Sequence, residues 1–193
     1  MIWAKRLLAK GLCGAVALSG LAAIAGSHIV PRATNAIAQT TGGGLTIYGG
    51  VDAEFRLNYL IDNNKRRDTR ARYYLAVPGR KITREIVELE ITYPQAFEDN
   101  GGYFSRASVE LREGNGRGQG SIPVEDVVFN LDRNTIEIYP AEPIPPNKNF
   151  VIVVSSVRNP NRYGQHYLNL RTMYRGDVLR QFVGVWPMDI AAE

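Results

Sequence analysis

Cysteine and histidine are nearly absent. The 193 residues include one Cys, Cys13, and two His, His28 and His166. One thiol cannot close an intramolecular disulfide or build a Cys-ligated metal site. There is no long series of apolar runs, so the chain is not a polytopic membrane protein. With 45% hydrophobic and 22% charged residues it is not intrinsically disordered either. The formal charge of +4 and the pI near 9.3 suggest a nucleic-acid partner only until the charges are located. Lys5, Arg6, Lys10 and Arg32 fall in the first 38 residues, which hold no acid, and the rest carries 19 basic and 19 acidic residues. A formally neutral remainder gives no support to nucleic-acid binding.

The first 38 residues read as a signal peptide. Met1–Lys10 carries three positive charges, Gly11–Gly26 is an apolar run of 16, and Ala36-Ile37-Ala38 offers a small-x-small exit. A charged start, an apolar middle and a small-residue cleavage site are the parts of a secretory signal. The run falls short of the ~20 residues that span a bilayer comfortably. Cleavage before Gln39 is expected, with an uncleaved anchor as the alternative; only in that case would the chain be membrane-tethered. Cleavage leaves residues 39–193 as a single domain without cysteine, in which His166 is the sole histidine. An exported location follows, with the periplasm first and the thylakoid lumen or cell surface as the other compartments.

After residue 40 the dominant pattern is period two, bounded by Pro and Gly. Tyr73, Leu75 and Val77 alternate with Arg72, Tyr74 and Ala76 before Pro78-Gly79. Val87, Leu89, Ile91 and Tyr93 alternate up to Pro94, and Ala107, Val109 and Leu111 repeat the pattern. Ile136–Tyr139, Phe150–Val157, Tyr167–Tyr174 and Gln181–Ile190 are further strands, with one more around Glu54–Tyr59. Phe150–Val157 is almost continuously apolar, as suits a central strand buried on both faces. Two segments are ambiguous. Val124–Leu131 is one; in Arg84–Ile91, Ile86 and Leu89 could also sit at helical spacing. The prediction is all-β: one antiparallel immunoglobulin-like β-sandwich of seven or eight strands with Greek-key connections, a closed barrel being the second choice.

The order of short motifs supports this. Tyr73-Tyr-Leu-Ala-Val-Pro78 and Ile91-Thr-Tyr-Pro94 precede Thr135-Ile-Glu-Ile-Tyr-Pro140 and Pro143-Ile-Pro-Pro146. Phe150-Val-Ile-Val-Val, Val157-Arg-Asn-Pro160, Tyr163-Gly164 and Phe182-Val-Gly-Val-Trp186 follow. Over roughly Arg72–Ile190 the chain resembles the cyanobacterial exported family catalogued as domain of unknown function 2808. The resemblance implies a secreted or periplasmic single domain of immunoglobulin-like fold, and it carries over no catalytic residue. The charged stretch at 65–72 is not read as part of the shared pattern. From the residues alone the motifs are structural. Pro160 restricts Asn159 to extended geometry, and Gly164 can supply a positive φ.

Lys65, Arg66, Arg67, Arg70 and Arg72 put five bases beside one acid, Asp68, within eight residues. They form the candidate binding site, an anion patch for a protein or glycan of the cell envelope. The competing reading is a solvated loop whose bases pair with Asp62 and Asp68. The ten Tyr and 16 Arg after residue 38 suit either a binding face or cross-strand pairs. Gly114–Gly120 is an inter-strand loop, since no helix begins within it as a phosphate loop requires. No metal or cofactor is expected. A copper carrier would have only His166, Met173 and Met188, and residues 166 and 173 point to opposite faces of a strand. Glu98-Asp99 and Glu125-Asp126 lack EF-hand spacing. A hydrolase would need more than His166, Gly-x-Ser-x-Gly is absent, and Glu88 and Glu90 on one strand face read as surface charge. The expectation is a non-enzymatic binding or assembly module, with a metal carrier or small hydrolase as the alternative.

Overall fold

The computed structural model describes residues 50–104 and 106–192. The segment expected to be a signal peptide, with its cleavage site before Gln39, lies outside the described residues. Ten strands form two five-stranded sheets. They are β1 (Tyr59–Asp62), β2 (Ala71–Val77), β3 (Ile86–Thr92), β4 (Ser108–Glu113), β5 (Ser121–Ile122), β6 (Val124–Asn130), β7 (Thr135–Pro140), β8 (Phe150–Val157), β9 (Gly164–Tyr174) and β10 (Gln181–Ile190). The first sheet has the order β1-β2-β8-β4-β5 and the second β10-β9-β3-β7-β6, with every neighbouring pair antiparallel. Five connections cross from one sheet to the other, so the expected immunoglobulin-like sandwich forms and the single closed barrel does not. Helix is confined to α1 (Gln95–Asp99) and one 3-10 turn, Gly79–Lys81. Among the described residues no helix is long and apolar enough to cross a membrane.

Both ambiguous segments are strands. In β3 the register slips between Ile86 and Glu88, and this bulge brings Ile86, Leu89 and Ile91 to the same buried face. A bulged strand therefore imitates helical i, i+3 spacing. Val124–Asn130 is an edge strand with only half of one face covered. The strand expected around Glu54–Tyr59 is displaced. Leu57 donates its N–H to Val185 (2.8 Å) and Phe55 accepts from Val185 (2.8 Å), giving one parallel bridge to β10; regular pairing begins only at Tyr59. Gly184 makes room for that bridge, because a Cβ there would lie 2.6 Å from the Phe55 carbonyl. Pro187 lacks an N–H, and the amide of Asp189 donates to the Tyr59 hydroxyl (3.0 Å), so the outer edge of β10 is closed to another strand.

β8 is buried on both faces, as its apolar run predicts. Phe150, Ile152 and Val154 enter the main core, while Val151 and Val153 pack with Tyr74 on the outer face. Arg117 covers that outer cluster, its guanidinium 5.2 Å from the Tyr74 ring centre and paired with Asp62. An arginine stem can shield apolar surface while its head stays wet. Trp186 fills the space between the sheets and donates from Nε1 to the Ala76 carbonyl of β2 (3.1 Å). At one end of the sandwich Tyr73, Tyr93, Phe97 and Phe104 form an aromatic layer with centroid separations of 4.7 to 6.1 Å. This layer underlies the loop that carries the basic residues.

Candidate functional site

The basic loop joins β1 to β2 and is held by a residue far away in sequence. Asn159 is fully buried. Its side-chain amide donates to the carbonyls of Lys65 (2.8 Å) and Asn63 (3.3 Å), and its Oδ1 accepts from the Tyr73 hydroxyl (2.6 Å). Its backbone N–H donates to the Asp68 carbonyl (2.8 Å). Burial pushes the Tyr73 phenol well above its ordinary value, so it stays a donor to Asn159. Arg67 donates its amide to Pro160 (3.1 Å), Asp68 Oδ1 accepts the Arg70 amide (2.7 Å), and Arg66 Nε donates to the Ala192 carbonyl (2.7 Å). The Val157-Arg-Asn-Pro160 motif is thus structural, and what it structures is this loop.

The loop leaves its charges outward. Lys65, Arg66, Arg67, Arg70 and Arg72 are all exposed, and none forms an ion pair among the described residues. The expected local pairing does not occur. Asp62 is paired with Arg117 and also accepts from the Tyr74 hydroxyl (3.1 Å), while Asp68 caps a backbone amide. Elsewhere arginines do pair, as in Arg84–Asp177 (2.6 Å) and Arg175–Glu85 (3.0 Å). Two hollows flank the loop. One, of about 490 Å³, is lined by Lys65, Arg66, Arg67 and Ala192; the other, of about 320 Å³, by Asp62, Asn63, Arg70, Arg72 and Ser156. Arg72 also reaches Ser155, donating from Nε to Oγ (2.9 Å). Among the described non-glycine residues with positive φ, Asn63 (58°), Arg67 (61°) and Ser156 (61°) line these hollows. Left-handed backbone is costly for Arg and Ser, and such strain concentrates where geometry serves function. At Ser156 it belongs to a bulge that moves the inward face of β8 from Val154 to Val157.

The other candidate residues are dispersed. His166 and Met188 are register partners on β9 and β10, both buried, while Met173 lies on the opposite face of β9. No group of three or more His, Cys, Asp or Glu is placed to hold a metal ion among the described residues. His166 meets the Phe97 ring edge-on at 5.3 Å, and burial holds its imidazole below the ordinary value. The unfolded chain takes up a proton near pH 6.5 that the fold refuses, so stability is complete above that pH and falls as pH drops through it. One proton is linked to folding, so the slope from this group cannot exceed about 1.4 kcal/mol per pH unit. Urea unfolding at pH 7.5 and pH 5.5 should show a smaller pH difference for His166→Gln than for wild type; equal differences would refute the assignment.

Glu88 and Glu90 are not the exposed surface charges expected. They point away from the core, yet with Glu137 they are only 8%, 6% and 7% exposed. Arg180, from the β9–β10 turn, donates from Nε to Glu88 (2.8 Å) and lies 3.1 Å from Glu90 and 3.5 Å from Glu137. Arg133 also reaches Glu137 (3.2 Å), as does the Tyr139 hydroxyl (3.2 Å). Glu137 and Arg180 are the members that sequence reasoning missed. Glu90 sits opposite Glu137 only because β3 pairs with β7 in this register, which no local pattern reveals.

Fold and surface define the class: an all-β sandwich domain with a cationic loop clamped at one end. The chain belongs to the family described as protein of unknown function (DUF2808), whose model matches residues 46–190. The match therefore starts before β1 and spans the basic loop. No curated protein sequence matches significantly. Among solved structures, BslA, a bacterial hydrophobin, is similar at 11% identity and a TM-score of 0.44, over 72% of this chain and 98% of that one. The collagen-binding domain of a Staphylococcus aureus adhesin is similar at 12% identity and a TM-score of 0.36, over 69% and 95% of the two chains. The collagen-binding subdomain of the Enterococcus faecalis surface protein ACE gives 9% and 0.39, over 68% and 96%.

Proposed function

We propose that this chain is an exported, non-enzymatic binding or assembly module of a cyanobacterial envelope, and that its ligand-binding surface is the loop bearing Lys65, Arg66, Arg67, Arg70 and Arg72. The partner is an anionic protein or glycan of that envelope. The periplasm is the first compartment, reached through a signal peptide cleaved before Gln39. One observation carries the reading: five exposed cations without carboxylate partners among the described residues, four on a loop ordered by the buried Asn159 and the fifth, Arg72, at the start of the strand that follows it. An ordered loop has already lost the conformational freedom that binding would otherwise remove. Cations not committed to internal pairs are available to steer and hold an anion.

The test compares wild type with the triple variant Arg66→Ser, Arg67→Ser, Arg70→Ser, both produced with their own N-terminus in cells. Retention on the isolated envelope fraction should fall at least tenfold in the variant, and salt should release the wild type, as screening of exposed charges requires. The recovered mass should correspond to a chain starting at Gln39. Equal retention of both proteins would refute the loop as the binding surface.

A further inference from the structure

We infer that the ligand of the basic loop is an acidic polysaccharide, a chain of uronic-acid-type sugars. The inference rests on the binding reading above and adds the chemistry of the partner. The loop's cations divide into two groups with no shared member. Lys65, Arg66 and Arg67 line one hollow, and Arg70 and Arg72 the other. A small anion seated in one hollow meets only that hollow's cations, whereas a chain with a carboxylate on successive units can engage both groups. Guanidinium forks match carboxylates bidentately, and four of the five cations are arginines.

The second hollow adds groups that a simple anion does not need. Asp62, Asn63 and the exposed Ser156 stand there beside Arg70 and Arg72. A carboxylate, an amide and a hydroxyl accept from or donate to sugar hydroxyls. A fully ionised phosphate chain has no donor to offer Asp62 and would be repelled by it. Asp62 already accepts from Arg117 and Tyr74, but each carboxylate oxygen has a second lone pair. An aromatic face is also present at this end. Tyr163 is 69% exposed, in the segment that meets the loop through the Arg67–Pro160 hydrogen bond. A ring open to water can stack on the apolar face of a pyranose while its hydroxyl stays solvated. Paired cationic hollows, hydroxyl-matching groups and an open aromatic ring together fit acidic sugar units better than a phosphate chain, which has neither donors nor an apolar face.

Calorimetric titration of the full chain as exported tests this, with three probes: polygalacturonate, its methyl-esterified form, and polyphosphate. Polygalacturonate should bind, weaken as salt rises, and be at least tenfold preferred over the ester, which keeps the hydroxyls and loses the charge. Arg70→Gln and Tyr163→Ala should each weaken polygalacturonate about tenfold, and Tyr163→Ala should leave polyphosphate unchanged. Unchanged urea midpoints in both variants would confirm that folding is intact. Polyphosphate binding as tight as polygalacturonate, or Tyr163→Ala without effect, would overturn the assignment. If polygalacturonate fails to bind while the triple arginine variant still loses envelope retention, the acidic-sugar inference falls and the binding surface stands. If neither binding nor retention changes, both fall.

Discussion

Replacing Asn159 with alanine is expected to cost about 3 kcal/mol of stability and to loosen the basic loop. Three side-chain hydrogen bonds are lost together, and one leaves the hydroxyl of the fully buried Tyr73 without a partner. A buried donor deprived of its acceptor costs about 1–3 kcal/mol, beyond the ~1 kcal/mol typical of a hydrogen bond exchanged with water. Tyr73→Phe should cost less, about 1–2 kcal/mol, because it removes one bond and leaves a single amide oxygen unmatched. The double variant should be more stable than the sum of the single losses implies, since each single change strands the other group. Urea denaturation of all four proteins closes this cycle. A loss below about 0.5 kcal/mol for Asn159→Ala, the size of an ordinary surface change, would show that the clamp is not a stability determinant. If the loop is the binding surface proposed, envelope retention of Asn159→Ala, measured where the variant is still folded, should also fall, although no cation of the loop has been changed.

That dependence explains which parts of the molecule were readable in advance. Strands announce themselves locally, because alternation needs only neighbouring residues; β2, β4, β7 and β8 lie close to where their side-chain pattern puts them. The basic loop is equally visible as a run of charge. Its clamp is not, because Asn159 lies 94 residues from Lys65 and 86 from Tyr73, and only the crossing of β8 into the next connection brings them together. Local reading stumbles where the backbone departs from a regular ladder. The bulge in β3 mimics a helical period, and the single bridge at Arg56 breaks what looked like one strand into a bridge and the start of β1. Glu88 and Glu90 looked solvated because they alternate with core residues. Their cover comes from Arg180 on a different strand connection, 92 residues from Glu88.

Loss of that cover should produce the second large effect. Arg180→Ala is expected to destabilise the domain by about 3–5 kcal/mol, the range for removing one partner from a buried ionic group. Burial opposes the charge on Arg180, but the hydrogen bond to Glu88 and the charges of Glu90, Glu88 and Glu137 outweigh it and hold the guanidinium more firmly protonated than usual. Without it, three carboxylates on adjacent strands face one another, with Arg133 as the remaining cation and the Tyr139 hydroxyl as a neutral donor, both at Glu137. Arg180→Lys should restore only part of the loss, since an ammonium cannot present a planar fork to Glu88 and Glu90 together. The decisive control is Glu90→Gln placed in the Arg180→Ala background, which removes one stranded charge and keeps the shape. It should regain at least about 1 kcal/mol there, while the same change in wild type, where Arg180 is present, should destabilise. Were Glu90→Gln to have the same effect in both backgrounds, Arg180 would be acting through packing of its aliphatic stem over the sheet and not through the charges beneath it.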